Sequence, residues 1–173
     1  EIYQCDWSSD VCSSDLNAIY RMETVNVLVA TDTPIAQKIQ QSGYSLKHRF
    51  YTRRPIKDLG AHRVPNEYFG FSSGPIATAI AAADKHNRIY LIGFDMGPTE
   101  IGTFNNVYAG TEFYKEIGTP PTYTGNWTKQ LSKVMGDFSK QRFIRVYGST
   151  TADIPELQNI ENYEKLPMAS FLD

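Results

Sequence analysis

The sequence predicts an α/β domain in which a doubly wound, mostly parallel sheet alternates with helices. Three observations lead to this prediction. Segments with strand and helix patterns alternate along most of the chain, as they do in sheets built from βαβ units. Residues 89–92 (IYLI) form an uninterrupted apolar run, which indicates a strand buried on both faces of a parallel sheet. Residues 76–83 are mostly small helix formers that can pack closely on that sheet.

The first predicted elements are two strands and a helix. Residues 17–20 (NAIY) have the pattern of the end of a strand, and residues 25–30 (VNVLVA) predict a second strand. A helix over residues 35–41 follows, with Asp32 or Thr33 as its N-cap. In this interpretation the chain begins within a strand, so the first strand and Gly-rich turn usual in such sheets are absent.

A third strand is predicted at residues 48–52, followed by a loop of about twenty residues rich in Pro, Gly and Arg. Loops of this length in compact domains are usually functional or mobile. The region is basic and could attract a phosphorylated ligand, although a solvated face is the commoner explanation of such a run. Its basic residues are Lys47, His48, Arg49, Arg53, Arg54, Lys57, His62 and Arg63.

The second half of the chain begins with residues 96–126, where Gly and Pro are mixed with aromatic residues. This composition is typical of a lid that folds over a ligand. Residues 127–138 then have helical spacing, and residues 143–147 (FIRVY) predict another strand. The tail is mostly polar and ends in a short helix-like segment at residues 168–172. The apolar stripe of the helix is Trp127, Leu131, Val134, Met135 and Phe138.

The first sixteen residues differ from the rest. Residues 5–16 (CDWSSDVCSSDL) fit no structural period and resemble the translation of a common sequencing adapter. We therefore expect residues 1–16 to be a non-native segment and residues 17–173 to form one domain. Both cysteines, Cys5 and Cys12, lie in this segment; a disulfide or a metal pair is the competing interpretation.

Length and charge narrow the function classes. The 173 residues suffice for one domain, and no apolar run approaches the length of a membrane span. The net charge is −2, but residues 17–173 contain 15 acids and 17 bases, so no nucleic-acid partner is implied. The first residues lack the basic and apolar regions of a signal peptide, and we expect a cytoplasmic protein. The sequence does not decide whether the protein forms a homo-oligomer.

Two neighbouring segments form the candidate site. Ser72, Ser73 and Gly74 offer hydroxyls and backbone N–H groups at a helix start, where anions bind well. Gly93 and Asp95 follow the apolar strand. In an open α/β sheet, strand ends and helix starts meet at the ligand crevice. The alternative is an N-cap and an ordinary turn.

Four segments, in this order, resemble the bacterial sialyltransferases that use CMP-sialic acid: residues 17–20 (NAIY), the strand that ends at residues 31–34 (TDTP), the helix that begins with Ser-Ser-Gly, and the strand IYLIGFD at residues 89–95. They also resemble the wider group of Rossmann-like proteins related to 6-hydroxymethylpterin diphosphokinase. The resemblance covers about residues 17–147 and implies a nucleotide held among matching residues, with two lid tyrosines against the leaving phosphate. The implied nucleotide-binding residues are Asn17, Thr31, Asp32, Ser73, Gly74, Gly93 and Asp95, and the phosphate-contacting residues are Tyr108 and Tyr114.

The sequence departs from the sialyltransferase pattern at two places. The Gly-rich first turn is missing, and the histidine that serves as general base in that family has no counterpart. Tyr123 stands nearest to its place and is the tentative catalytic residue. A phenol with a pKa near 10 is a poor base at neutral pH.

The sequence therefore favours a nucleotide-binding, sialyltransferase-like glycosyltransferase whose donor is a nucleotide-sugar such as a CMP-sugar. We expect no cofactor beyond this donor and no metal, since no Asp-x-Asp motif and no His or Cys pair at ligand spacing is present. The alternative is a non-catalytic protein that binds a nucleotide or a nucleotide-derived signal. A third hypothesis is a pterin diphosphokinase-like enzyme, which would need Mg²⁺ ligands.

Overall fold

The computed structural model describes residues 14–21, 24–94, 110–112, 116, 125–148, 151 and 153–172. Strands and helices alternate through these residues, and this confirms the α/β, Rossmann-like fold. The strands are β1 (Ser14–Leu16), β2 (Val27–Val29), β3 (Arg49–Thr52), β4 (His62–Arg63), β5 (Arg88–Leu91), β6 (Arg142–Tyr147) and β7 (Tyr163–Pro167). The helices are α1 (Thr33–Gln41), α2 (Ser73–Ala83), α3 (Gly125–Asp137) and α4 (Met168–Leu172).

All strand pairs are parallel and form two sheets. One sheet has the order β1-β2-β3-β4 and the other the order β5-β6-β7. Successive strands thus run outward from β1 in one sheet and outward from β5 in the other. Helix α2 leads from β4 back to β5 and contacts β1, β2 and β5. Helix α2 therefore packs against both sheets, and ligands of open α/β proteins bind beyond the carboxyl ends of the strands.

The core has two parts because the side chains of a strand alternate between its two faces. Val27 and Val29 of β2 pack on the side of α2 and α3, where α3 buries the middle of its predicted stripe. Leu28 and Ala30 face the opposite side and pack against α1. Helix α2 is buried almost all round, since its small residues let it approach both sheets closely.

The prediction that the strand at residues 89–92 is buried on both faces is wrong. In β5, exposed and buried residues alternate. Tyr90 is 41% exposed, and its ring lies 5.3 Å from that of Phe171. A run of four apolar residues identifies a strand but does not show how many of its faces are covered. Tyr has a polar hydroxyl that can stay in water while its ring contacts a neighbour.

Several element boundaries also differ from the sequence predictions. The first strand ends at Leu16, and Asn17–Arg21 form a 3₁₀ helix instead of the end of a strand. The long loop after β3 contains the two-residue strand β4, and the polar tail contains β7. Both missed strands are short or largely exposed, so their apolar pattern is weak. The helix predicted at residues 168–172 is confirmed as α4.

Helix α3 provides a direct test of this packing. Leu131 is fully buried, whereas Lys129 is exposed on the same helix. We expect Leu131→Ala to lower the free energy of unfolding by about 2–5 kcal/mol, because it leaves a cavity in the core. Lys129→Ala, the matched control, should change it by about 0.5 kcal/mol or less. Urea unfolding measures both, and equal effects would show that α3 is not packed as described.

Candidate functional site

The site is centred on Thr31, which follows the end of β2. Strand alternation places its side chain on the same face as Val27 and Val29, toward α2. There it meets Ser73, the first residue of α2, which is only 7% exposed. The N–H of Thr31 donates to Ser73 Oγ at 3.1 Å, and the two hydroxyl oxygens lie 3.0 Å apart. The end of one strand and the predicted Ser-Ser-Gly turn therefore converge.

The start of α2 is held from a second side. Ser72 is its N-cap in an extended conformation, but the Ser72 side chain makes no capping hydrogen bond. Its backbone N–H donates to Oε1 of Gln130, on α3, at 2.8 Å. Gly74 follows Ser73 and is half-buried. Thr31 and Gln130 together fix where α2 begins.

Helix α1 begins on the other side of Thr31. Its N-cap is Asp32, one of the two predicted caps, which is exposed and makes no side-chain capping bond; Pro34 lies in the first turn. A helix start carries a partial positive charge and favours anions. Two helix starts thus lie close to Thr31 at the carboxyl edge of the sheet.

A cleft of about 160 Å³ lies between the start of α1 and the end of β3. Gln40 fixes its outer wall, because its buried side chain accepts from the N–H of Ile56 at 2.7 Å and donates to the carbonyl of Ala36 at 3.0 Å. The residues that line the cleft are Thr31, Thr33, Ala36, Gln37, Gln40, Thr52, Arg53, Arg54, Pro55 and Ile56. Among the described residues, this lining contains two arginines and no carboxylate.

The predicted basic run does not form one patch. Arg49 begins β3 and pairs with Asp84, beyond the end of α2, at 2.5 Å, which places this pair at the amino edge of the strands. Arg53 lies at the carboxyl edge, where it donates from Nε to the carbonyl of Phe69 at 2.8 Å and from Nη2 to that of Phe71 at 2.6 Å. Arg53 therefore ties β3 to the segment that enters α2.

The sequence interpretation missed Arg145, which contacts the segment that carries the predicted site residue Gly93. Arg145 lies on β6, is 1% exposed, and donates from Nε to the carbonyl of Phe94 at 2.8 Å. This bond holds the segment after β5, in which Gly93 has a φ of +72° that favours glycine. Burial raises the pKa of the neighbouring Tyr163, and the positive charge of Arg145 partly opposes that rise. The sequence feature that could have identified Arg145 is that it is a single charged residue within the otherwise apolar strand FIRVY.

Of the other predicted site residues, the structure describes only Asn17. Asn17 begins the 3₁₀ helix after β1, while Asp95, Tyr108, Tyr114 and Tyr123 lie outside the described residues. The three histidines lie away from the cleft. The rings of His48 and His62 contact those of Tyr44 and Tyr51 at 4.4 and 5.2 Å, and His86 lies in the turn before β5.

Comparisons of the chain with protein-family models, curated proteins and solved structures find no match. Within the described ranges, no helix is both long and apolar enough to cross a membrane. The same residues contain no cluster of three His, Cys, Asp or Glu side chains that could hold a metal ion.

The contact between Thr31 and Ser73 can be tested through stability. Ser73→Ala leaves the buried N–H of Thr31 without this acceptor, so we expect it to lower the free energy of unfolding by about 1–3 kcal/mol. Ser132→Ala is the control, because the Ser132 hydroxyl bonds within α3, to the carbonyl of Thr128, and to no other residue that the structure describes. Its effect should be at most about 0.5 kcal/mol. Equal losses in chemical denaturation would contradict a special role for Ser73.

Proposed function

We propose that this protein binds a nucleotide at the carboxyl edge of its sheet and transfers a sugar from a nucleotide-activated donor to a hydroxyl acceptor. The observation that carries the proposal is the contact between Thr31 and Ser73. It joins the end of β2 to the start of α2, the helix that contacts strands of both sheets. Helix α1 begins beside the same contact.

The chemistry of this edge suits a nucleotide. Helix starts favour phosphate groups, and the exposed carboxylate of Asp32 can accept hydrogen bonds from ribose hydroxyls. Gly74 offers a backbone N–H in the first turn of α2, and Gly93 allows a ligand to approach the segment after β5 closely. In the proposal, Asn17 and Asp95 complete the pocket at the base and the ribose.

Sugar transfer requires that the acceptor oxygen form a bond to the anomeric carbon while the bond from that carbon to the donor phosphate breaks. The electron pair of the broken bond leaves with the nucleotide, and the acceptor proton passes to a base. Positive groups around the leaving phosphate favour this step electrostatically. The lid residues Tyr108 and Tyr114 are proposed to donate hydrogen bonds to that phosphate, and Tyr123 is proposed to take the proton.

A second candidate function is binding of a nucleotide without turnover. It is favoured by the positions of the three histidines, all of which are described and none of which lines the cleft. Histidine is the side chain best suited to general base catalysis at neutral pH. In this alternative, the protein captures an intact nucleotide or nucleotide-derived signal.

Calorimetry with CMP and with CMP-sialic acid tests the proposal. UMP, AMP and GMP, which differ from CMP in the nucleobase, are titrated in the same way. Ser73→Ala should weaken nucleotide binding about five- to hundredfold, which corresponds to the loss of one or two buried hydrogen bonds. Ser132→Ala should bind like the wild type. Failure of all four nucleoside monophosphates to bind would refute the proposal.

The two candidate functions differ in turnover. Incubation with CMP-sialic acid and a hydroxyl acceptor should release CMP and form a glycoside if the protein is a transferase. Release of CMP can be followed by ³¹P NMR, because the phosphodiester of the donor becomes a phosphomonoester. Tight binding of the intact donor without such release would support the non-catalytic alternative.

A further inference from the structure

We propose that the cleft beside α1 is a phosphate subsite, in which Arg54 and the first turn of α1 hold a phosphate group. The proposal extends the proposed function, because that phosphate would belong to the nucleotide or to a phosphorylated acceptor. Nothing in the sequence distinguishes Arg54 from the other basic residues of its run. Its place in the cleft does so.

Thr52 provides the first argument. It ends β3 on the same face as Phe50, and this face packs against α1. Thr52 is 1% exposed and lines the cleft, yet its hydroxyl makes no hydrogen bond to another described residue. A ligand oxygen in the cleft can accept a hydrogen bond from this hydroxyl.

The charge of the cleft provides the second argument. Its lining includes Arg53 and Arg54 but no acid. The guanidinium of Arg53 is engaged by two backbone carbonyls, which leave its positive charge uncompensated. Arg54 is exposed and forms no ion pair with the described residues. The cleft therefore favours an anion with several acceptor oxygens.

Helix α1 adds to this charge. Its start lies on the cleft through Thr33, and no side chain caps its first amides. The carboxylate at the N-cap, Asp32, is exposed and does not line the cleft. An anion in the cleft would thus meet the positive end of the helix dipole without a carboxylate between them.

The cleft is also formed before any ligand enters. Gln40 is 1% exposed and holds the main chain at Ile56 through a 2.7 Å hydrogen bond. A preorganised wall lowers the entropy cost of binding. The volume of about 160 Å³ is smaller than the roughly 300–1,000 Å³ of sites that enclose whole ligands. The cleft is large enough for a phosphate group, and the rest of the ligand would extend toward Thr31.

Binding of inorganic phosphate, followed by calorimetry, tests the subsite. We expect Arg54→Gln to weaken phosphate binding at least about tenfold, since it removes a charge-assisted contact. Lys57→Gln is the matched control, because Lys57 is an exposed cation of the same loop that does not line the cleft. Thr52→Val, which keeps the side-chain shape but removes the hydroxyl, should also weaken binding. Circular dichroism checks that each variant is folded.

The outcomes separate this proposal from the proposed function. Absence of phosphate binding to the wild type, or equal losses in Arg54→Gln and Lys57→Gln, would overturn the subsite. Phosphate binding without binding of cytidine or CMP would support the subsite and count against the proposed function. If CMP displaces phosphate, the phosphate held in the cleft is that of the nucleotide. If CMP and phosphate bind together, the cleft serves a phosphorylated acceptor.

Discussion

The hydroxyl of Ser73 accepts a hydrogen bond from the N–H of Thr31, just beyond the end of β2. The arrangement of the carboxyl edge of the sheet depends on this contact. The buried N–H of Thr31 lies beyond the last residue of β2 and needs a hydrogen-bond acceptor. Ser73, 42 positions later in the sequence, provides that acceptor. The partner is the first residue of α2, so satisfying one N–H also sets where the central helix begins. The starts of α1 and α2 lie close together as a result.

The composition of α2 makes this arrangement possible. The helix contacts β1, β2 and β5, and its alanines allow a close approach that larger side chains would prevent. Gln130 of α3 and Arg53, the residue after β3, then fix the segment that enters α2 from two further directions. The edge is therefore rigid where the candidate site lies. A rigid site binds its ligand with little loss of entropy.

The sequence was sufficient where periodicity and capping signals agreed. It located α1, α2 and the buried stripe of α3. The sequence patterns grouped Ser73 with Gly93 and Asp95, and only the resemblance to sialyltransferases added Thr31, whose contact with Ser73 the structure shows. The sequence failed where a signal was short or depended on tertiary contacts. The strands β4 and β7 have weak patterns, β5 is covered on fewer faces than its apolar run suggested, and Arg145 was hidden in a strand that was otherwise apolar.

The most direct test of the account is a ¹H–¹⁵N correlation spectrum recorded while CMP is added to the folded protein. If CMP binds as proposed, the amide signals that move most belong to residues 31–33, 35, 52–54 and 72–74, which meet at the carboxyl edge of the sheet. Shifts concentrated at the amino edge, around Arg49 and Asp84, or a spectrum that CMP leaves unchanged, would contradict the account.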